Sequence, residues 1–317
     1  MEHIYDMLIL GGGPGGYTAA LYAARAGLSA LVLEKLAAGG QMALTQQIDN
    51  YPGFEEGVDG FLLGEKMKKQ AERFGAGTRH VTITGADLKA QPKQVHTSGG
   101  AFYGKTVVIA TGASPRELGL PMEKELVGRG VAYCASCDGM FYRGKTVAVV
   151  GGGNSAAADA LTLSRVAKKV YVIHRRDTLR AERAYQQLLL RQENVEFIWN
   201  STVSSLQYGE KLTGLTLQNT ATGAESELAC DGVFVSIGRK PVTELFGNQL
   251  ALDPGGYILA DETTCTNIPG VYGVGDVRAK PVRQIVTALA DGAVAVHMAG
   301  GILNQGPVEP NKDPSGG

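Results

Sequence analysis

The chain carries one local pattern twice. Residues 7–34 read MLILGGGPGGYTAALYAARAGLSALVLE, and residues 147–174 read VAVVGGGNSAAADALTLSRVAKKVYVIH. Offset by 140 residues (147 against 7), the two align without a gap. Each runs from an apolar strand through a glycine turn into a stretch of helical period, then into a second apolar strand. That order is a βαβ unit with the glycine spacing of a dinucleotide-binding turn. One such spacing says little. Two in register, each inside a complete βαβ pattern, confine the fold to α/β with two Rossmann-like dinucleotide-binding domains.

In the first copy Gly11 permits the tight turn, Gly13 lets backbone approach a pyrophosphate, and Gly16 lets the helix pack close to the strand, with Pro14 inside the same turn. The phosphate would meet N–H groups at the helix start. Glu34 ends the second strand, where a carboxylate accepts hydrogen bonds from a ribose. The second copy has Gly151, Gly153 and Ala156, with Asn154 and Ser155 filling the turn.

The copies differ where Glu34 stands. Its counterpart is His174, followed by Arg175, Arg176, Asp177 and then Arg180. A carboxylate there repels a 2′-phosphate, whereas guanidinium groups bind one, often bidentately. Two charge-assisted bonds of roughly 1.5–3 kcal/mol each would favour NADPH over NADH by about 10²- to 10⁴-fold. The bland alternative is a solvated charge run, and the register at the strand end argues against it. The first copy then takes a dinucleotide that tolerates an acid at the ribose, and FAD is the natural candidate. KTVVIATGAS (105–114) fits an FAD side, as a strand entering a glycine turn at Thr111 and Gly112. So does GVYGVGDV (270–277), where Asp276 is placed to reach a ribityl hydroxyl.

These pieces divide the chain. Residues 1–114 form the first part of an FAD-binding domain. Residues 115–244 form an NADPH-binding domain, closing after FVSIGRKP (234–241), where Ile237 and Gly238 enter a loop. Residues 245–305 return to the FAD domain, and 306–317, rich in Pro and Gly, form a flexible tail. The NADPH domain is thus inserted into the FAD domain, and two short crossings would serve as a hinge.

Glycine, at 44 of 317 residues, is about twice its usual share, and it clusters after apolar runs where turns are needed. The formal net charge of −1 gives no reason to expect nucleic acid or an acidic membrane as partner. No apolar run approaches the ~18 residues of a membrane span. MEHIYDMLIL leads straight into the first glycine turn and reads as a strand, not a signal peptide, so a reducing cytoplasmic location is expected.

The order GGGPGG, ATGAS, CxxCDG, GGGNS, HRRDxxRA, GxGD and a helix-opening RQ resembles the bacterial low-molecular-weight thioredoxin reductases over about residues 4–305. The CxxC pair lies just before the second glycine turn, a specific feature of that family. Two departures are minor. The dipeptide between the cysteines is Ala-Ser instead of Ala-Thr, and the nucleotide helix carries Asp159 where another acid pattern is usual. The resemblance implies a homodimer, tightly bound FAD, transient NADPH and a rotation between domains. It also places Gln41, Asn50, Asp276, Arg283 and Gln284 beside the flavin.

CASCDG (134–139) holds half of the four cysteines. Metal binding needs about four ligands, one CxxC supplies two, and neither Cys230, Cys265 nor the five histidines show ligand spacing. A structural staple over so short a loop gains little closure entropy. Electron transfer remains. The expected function is electron transfer from NADPH via FAD to a Cys134–Cys137 disulfide and on to oxidised thioredoxin, with Cys137 nearer the flavin by resemblance. Asp138 would act as general acid–base, its bland role being a helix N-cap. The rivals are a related reductase or oxidase with another disulfide acceptor, and a flavoprotein that only binds.

Overall fold

A computed structural model describes residues 3–45 and 47–303; the expected tail at 306–317 lies outside them. The chain forms two compact units, one from Pro115–Lys240 and the other from the flanking segments up to Ser114 and from Pro241 onward.

The flanking unit starts with β1 (Ile4–Leu10), α1 (Pro14–Arg25), β2 (Ala30–Glu34), α2 (Gly60–Arg73), β3 (Gly77–His80), β4 (Ile83–Asp87), β5 (Lys93–Thr97) and β6 (Gly100–Ile109). A crossing strand, β7 (Ala113–Pro115), leaves it. The inserted unit holds β8 (Val131–Ala132), the one-turn α3 (Ala135–Asp138), β9 (Thr146–Val150), α4 (Asn154–Ser164), β10 (Lys169–Ile173), α5 (Arg183–Leu190) and β11 (Val195–Ile198). It continues through β12 (Ser201–Tyr208), β13 (Leu212–Asn219), β14 (Glu225–Ala229) and β15 (Gly232–Val235). The chain returns along β16 (Arg239–Pro241), β17 (Val271–Gly273) and α6 (Ile285–Leu303).

In the flanking unit the sheet order is β3-β2-β1-β6-β5-β4, and β17 pairs with the far half of β6. β3, β2, β1, β6 and β17 are parallel, in registers such as Leu10 with Leu33 and with Ile109. The inserted unit repeats the scheme as β11-β10-β9-β15-β8, all parallel, and adds the antiparallel sheet β12-β13-β14.

Both glycine turns follow a central strand buried on both faces, which explains why each strand reads as an unbroken apolar run. Met7 and Ile9 meet Ala19, Ala20 and Ala23 of α1, while Leu8 and Leu10 meet Leu88, Phe246 and Ile258 on the other face. In the inserted unit Val147 and Val149 face Ala156, Ala157 and Ala160, while Ala148 and Val150 face Leu206, Leu215 and Leu217. The alanines on both helices set the close helix–sheet spacing.

Two sequence readings need revision. The return crossing falls at Lys240–Pro241, earlier than 244, because Val242 is already bonded into the flanking unit. Its N–H donates to Gly112 O at 3.0 Å, and its carbonyl accepts from Thr111 Oγ1 at 2.7 Å. Second, α6 is long and apolar enough by length and composition to cross a membrane, against the expectation of no such run. Its apolar character has another account. One face of it enters the core of its unit, packed so closely on α1 that a Cβ on Gly292 would stand 2.4 Å from Gly15 O.

Candidate functional site

The first cradle follows β1. Gly11 has φ +108°, a left-handed value that disfavours other residues, and a Cβ there would meet Ala110 O at 2.5 Å. A Cβ on Gly16 would stand 2.0 Å from Gly11 O, so the helix start can lie this close only as glycine. Gly13 differs, with no protein atom within 4 Å of its Cβ position. It caps α1 in extended conformation without a side-chain cap, and Pro14 follows at the first helical position. The N–H groups of the first turn therefore face open space beside a bare backbone, the arrangement a pyrophosphate requires.

Glu34 closes this cradle. Its Oε2 accepts from Gly12 N, and its Oε1 accepts from the N–H groups of Lys35 at 2.7 Å and Leu36 at 3.1 Å. A carboxylate offers about four lone-pair sites, so three bonds leave capacity for a ribose hydroxyl. Gly39 N donates to Gly12 O at 2.8 Å, which brings the segment carrying exposed Gln41 onto the turn. The other expected residues converge in the same unit. Asn50 Nδ2 donates to Gln284 Oε1 at 3.1 Å. Arg283 lies over the Tyr257 ring at 4.0 Å and donates to the carbonyls of Asp276 and Arg278. Asp276 sits in a 3-10 turn, Gly275–Val277, and Gly275 N is held by the buried carboxylate of Asp291 at 2.8 Å. Asp291 also binds Lys280 at 2.7 Å and Arg278 at 3.3 Å. The sequence reading missed this ionic anchor, because only the fold brings an acid in mid-helix to the GxGD loop. These residues fit FAD: an open phosphate cradle, an acid with spare acceptor capacity, and a polar set at the far end.

The second cradle follows β9. Gly151 has φ +152°, and a Cβ there would meet Ser236 O at 2.4 Å. Gly153 again caps its helix without a side chain and again has open space at its Cβ position. Asn154 exchanges hydrogen bonds with Glu182, at 2.8 and 2.9 Å, and Ser155 is exposed beside it. Gly238, at φ +108°, accepts from Arg116 N at 2.9 Å, and its neighbour Ile237 is exposed. Arg175, Arg176 and Arg180 are all exposed.

His174 stands apart from those three. It is buried, and a Cβ on Gly152 would lie 2.2 Å from its ring, so it supports the turn from beneath. Burial, and then Arg180, Arg175 and Arg176, push its pKa down. All three positive charges thus act on the imidazole at this strand end. The cluster fits the extra phosphate of NADPH.

The third element is the cysteine pair, also in the inserted unit. Cys134 and Cys137 are joined in a disulfide, with Cα atoms 5.3 Å apart. Cys134 is the N-cap of α3, and its carbonyl accepts from the N–H groups of Cys137 and Asp138 at 3.3 and 3.0 Å. A buried carboxylate organises the approach to this turn. Glu123, 1% exposed, accepts from the N–H groups of Leu118, Gly119 and Leu120 and from the Tyr133 hydroxyl at 2.8 Å, directly before Cys134.

Asp138 lies in the first turn of α3, where an acid is stabilising, and as the N-cap of the following 3-10 turn, Gly139–Tyr142, it makes no side-chain cap bond. Burial alone raises its pKa from 3.8 to about 6. Such a carboxyl exchanges a proton near neutrality, as an acid–base group for a thiol must.

This burial has a measurable cost. Between pH 4 and 6 the folded chain binds a proton that the unfolded chain releases, so stability falls as pH rises through that window. Above it the buried charge costs up to about 3 kcal/mol, at 1.36 kcal/mol per unit. Asp138→Asn is expected to stabilise the inserted unit by about 1–3 kcal/mol at pH 7.5 and by nothing at pH 4. Urea unfolding followed by the single tryptophan, Trp199 of that unit, checks this. An equal effect at both pH values would mean that the carboxyl is not desolvated.

Among the described residues, no group of three or more His, Cys, Asp or Glu is arranged to hold a metal ion. Cys230 is buried and Cys265 half-buried, and neither is in a disulfide.

Known proteins resemble the chain over most of its length. The profile of the pyridine nucleotide-disulphide oxidoreductases matches residues 5–292. A thioredoxin reductase of Streptomyces coelicolor is 45% identical over 298 residues, covering 93% of this chain and 92% of that protein. One from Bacillus subtilis is 44% identical over 295 residues, covering 93% of each. The crystal structure of a Streptococcus pyogenes thioredoxin reductase superposes with a TM-score of 0.89 at 41% identity, over 96% of this chain and 99% of that one. An oxidoreductase that uses FAD and NADPH follows from this kinship. By that match and those identities the chain belongs to the pyridine nucleotide-disulphide oxidoreductases, within the thioredoxin reductase group.

Proposed function

We propose that this enzyme carries electrons from NADPH to oxidised thioredoxin, with the Cys134–Cys137 disulfide as the last carrier. The observation that supports it most is the closed Cys134–Cys137 disulfide on a one-turn helix, with the partly buried Asp138 following it at once. Pro115–Lys240 is read as the NADPH domain and the flanking unit as the FAD domain. Arg175, Arg176 and Arg180 hold the 2′-phosphate, Ser155, Ile237 and Gly238 line the nucleotide, and His174 supports the turn. Gln41, Asn50, Asp276, Arg283 and Gln284 hold the flavin end of FAD.

FAD and NADPH, when bound, supply the electron pair. The protein's own groups do the rest. The disulfide takes up two electrons, its S–S bond breaks, and Asp138 gives a proton to the departing thiolate. One sulfur then attacks the disulfide of the partner to form a mixed disulfide, and the other resolves it, releasing reduced thioredoxin and closing Cys134–Cys137 again. The pair must serve both its electron source and a protein substrate, so the reading includes a rotation of the inserted unit about its two crossings. It also includes a homodimer working in the cytoplasm.

Anaerobic turnover with purified protein, the host's thioredoxin and either NADPH or NADH tests this. Fast oxidation of NADPH, and not of NADH, is expected. Flavin reduction by NADPH without thioredoxin turnover would send the assignment to another disulfide acceptor.

A further inference from the structure

The arginine loop is held from outside its own motif. Residues 174–178, past the end of β10, form neither strand nor helix, and their carbonyls need other donors. One neighbouring corner supplies them for three successive residues. Ser201 N donates to His174 O at 3.0 Å, Thr220 Oγ1 donates to Arg175 O at 3.3 Å, and Asn200 N donates to Arg176 O at 3.2 Å. The corner is itself closed, because Thr220 N donates to Asn200 O at 2.6 Å. Asn200 lies between β11 and β12, and Thr220 follows β13, which pairs with β12 at Asn219 and Ser201. Asn200 has φ +49°, a left-handed value that asparagine tolerates and a β-branched residue does not. At this bend two successive N–H groups, those of Asn200 and Ser201, meet the loop.

The contacts bear on coenzyme choice. Arg175 and Arg176 are exposed, so their side chains keep much rotamer freedom until a phosphate orders them. A guanidinium must present its fork in the right plane to bind a phosphate bidentately. Where that fork can reach is limited by where the backbone beneath it is held, and holding the backbone in advance lowers the cost of ordering. The other end of the loop is tied differently. Arg180 N and Ala181 N donate to Gly152 O at 2.7 and 3.1 Å, which joins that end to the glycine turn that NADPH and NADH would share. The corner at Asn200 and Thr220 instead holds the two residues that only a 2′-phosphate would use.

We propose that Asn200 and Thr220 are positioning residues for coenzyme specificity, which hold the backbone of Arg175 and Arg176 in place for a 2′-phosphate and so strengthen the preference for NADPH. This rests on the reading of HRRD as the 2′-phosphate site.

The test is anaerobic stopped-flow reduction of the flavin in the holoenzyme, giving second-order rate constants for NADPH and for NADH. Thr220→Val, close in shape but without the donor, is expected to lower the NADPH constant about threefold to tenfold and to leave the NADH constant within about twofold. Thr220→Ser, which keeps the hydroxyl, is expected within about twofold of the parent for both. Asn200→Val, which cannot hold the left-handed bend without strain, is expected to lower the NADPH constant at least about tenfold, while Asn200→Gly, which keeps the bend, stays within about threefold. Urea unfolding followed by Trp199, the residue before Asn200, shows whether each variant is folded, and Thr220→Val carries the test if Asn200→Val is not. Unchanged constants in Thr220→Val, or equal losses for NADPH and NADH, would overturn the proposal. A variant with both Arg175 and Arg176 replaced by alanine that kept the parent's preference for NADPH would instead overturn the 2′-phosphate reading beneath it.

Discussion

Cys137→Ser is expected to abolish NADPH-driven reduction of thioredoxin, by at least about a thousandfold, while flavin reduction survives. The reason is stoichiometric. A disulfide accepts two electrons because two sulfurs share one bond, and serine offers no sulfur to share. Cys134 would remain as a thiol on the same helical turn, able to attack a partner disulfide but unable to resolve the mixed disulfide. The defect should therefore appear as covalent trapping, not as loss of binding. An anaerobic titration gives the sharpest readout. The parent should consume two equivalents of NADPH, one for FAD and one for the disulfide, and the variant one. Cys134→Ser should also consume one. A second equivalent consumed by either variant would mean that the Cys134–Cys137 bond is not the electron store.

The parts of this molecule that repeat a backbone geometry were legible in the sequence. A Cβ on Gly11 or Gly151 would meet a carbonyl oxygen at 2.5 or 2.4 Å, one on Gly13 or Gly153 would meet open space, and both pairs follow strands buried on both faces. Such positions admit few residue types, so composition at fixed spacing reports them. What stayed hidden depends on which side chain the fold brings to which backbone. Asp291 reaches Gly275 N across 16 residues, and Asp159 joins Ser236 across 77. No local period encodes either. The setting of His174 stayed hidden for the same reason. At the end of the strand its ring lies inward beneath Gly152, while the next two arginines are exposed. The CxxCD motif was legible too, but the protonation of Asp138 was not. Its pKa is set by how much protein covers the carboxyl, which the residue's neighbours in sequence do not determine.

That division of roles at the second strand end can be tested by changing the coenzyme. Removing Arg175 and Arg176 together is expected to lower kcat/KM for NADPH by about 10²- to 10⁴-fold and to leave kcat/KM for NADH nearly unchanged. The estimate takes two charge-assisted bonds of roughly 1.5–3 kcal/mol each, which exist only when the 2′-phosphate is present. Because both guanidinium groups are exposed, their attraction is screened, and the parent's preference for NADPH should shrink as ionic strength rises past 0.1 M while the double variant's should not. His174→Gln provides the contrast. A buried ring packed under a glycine turn cannot touch the 2′-phosphate, so its loss should loosen the pyrophosphate cradle and weaken NADPH and NADH alike. If His174→Gln instead changed the NADPH-to-NADH ratio as strongly as the arginine pair, the imidazole would be a phosphate ligand, and the turn would have to open to expose it. If the arginine pair weakened both coenzymes equally, HRRD would be a structural charge run, and the preference for NADPH would need another source.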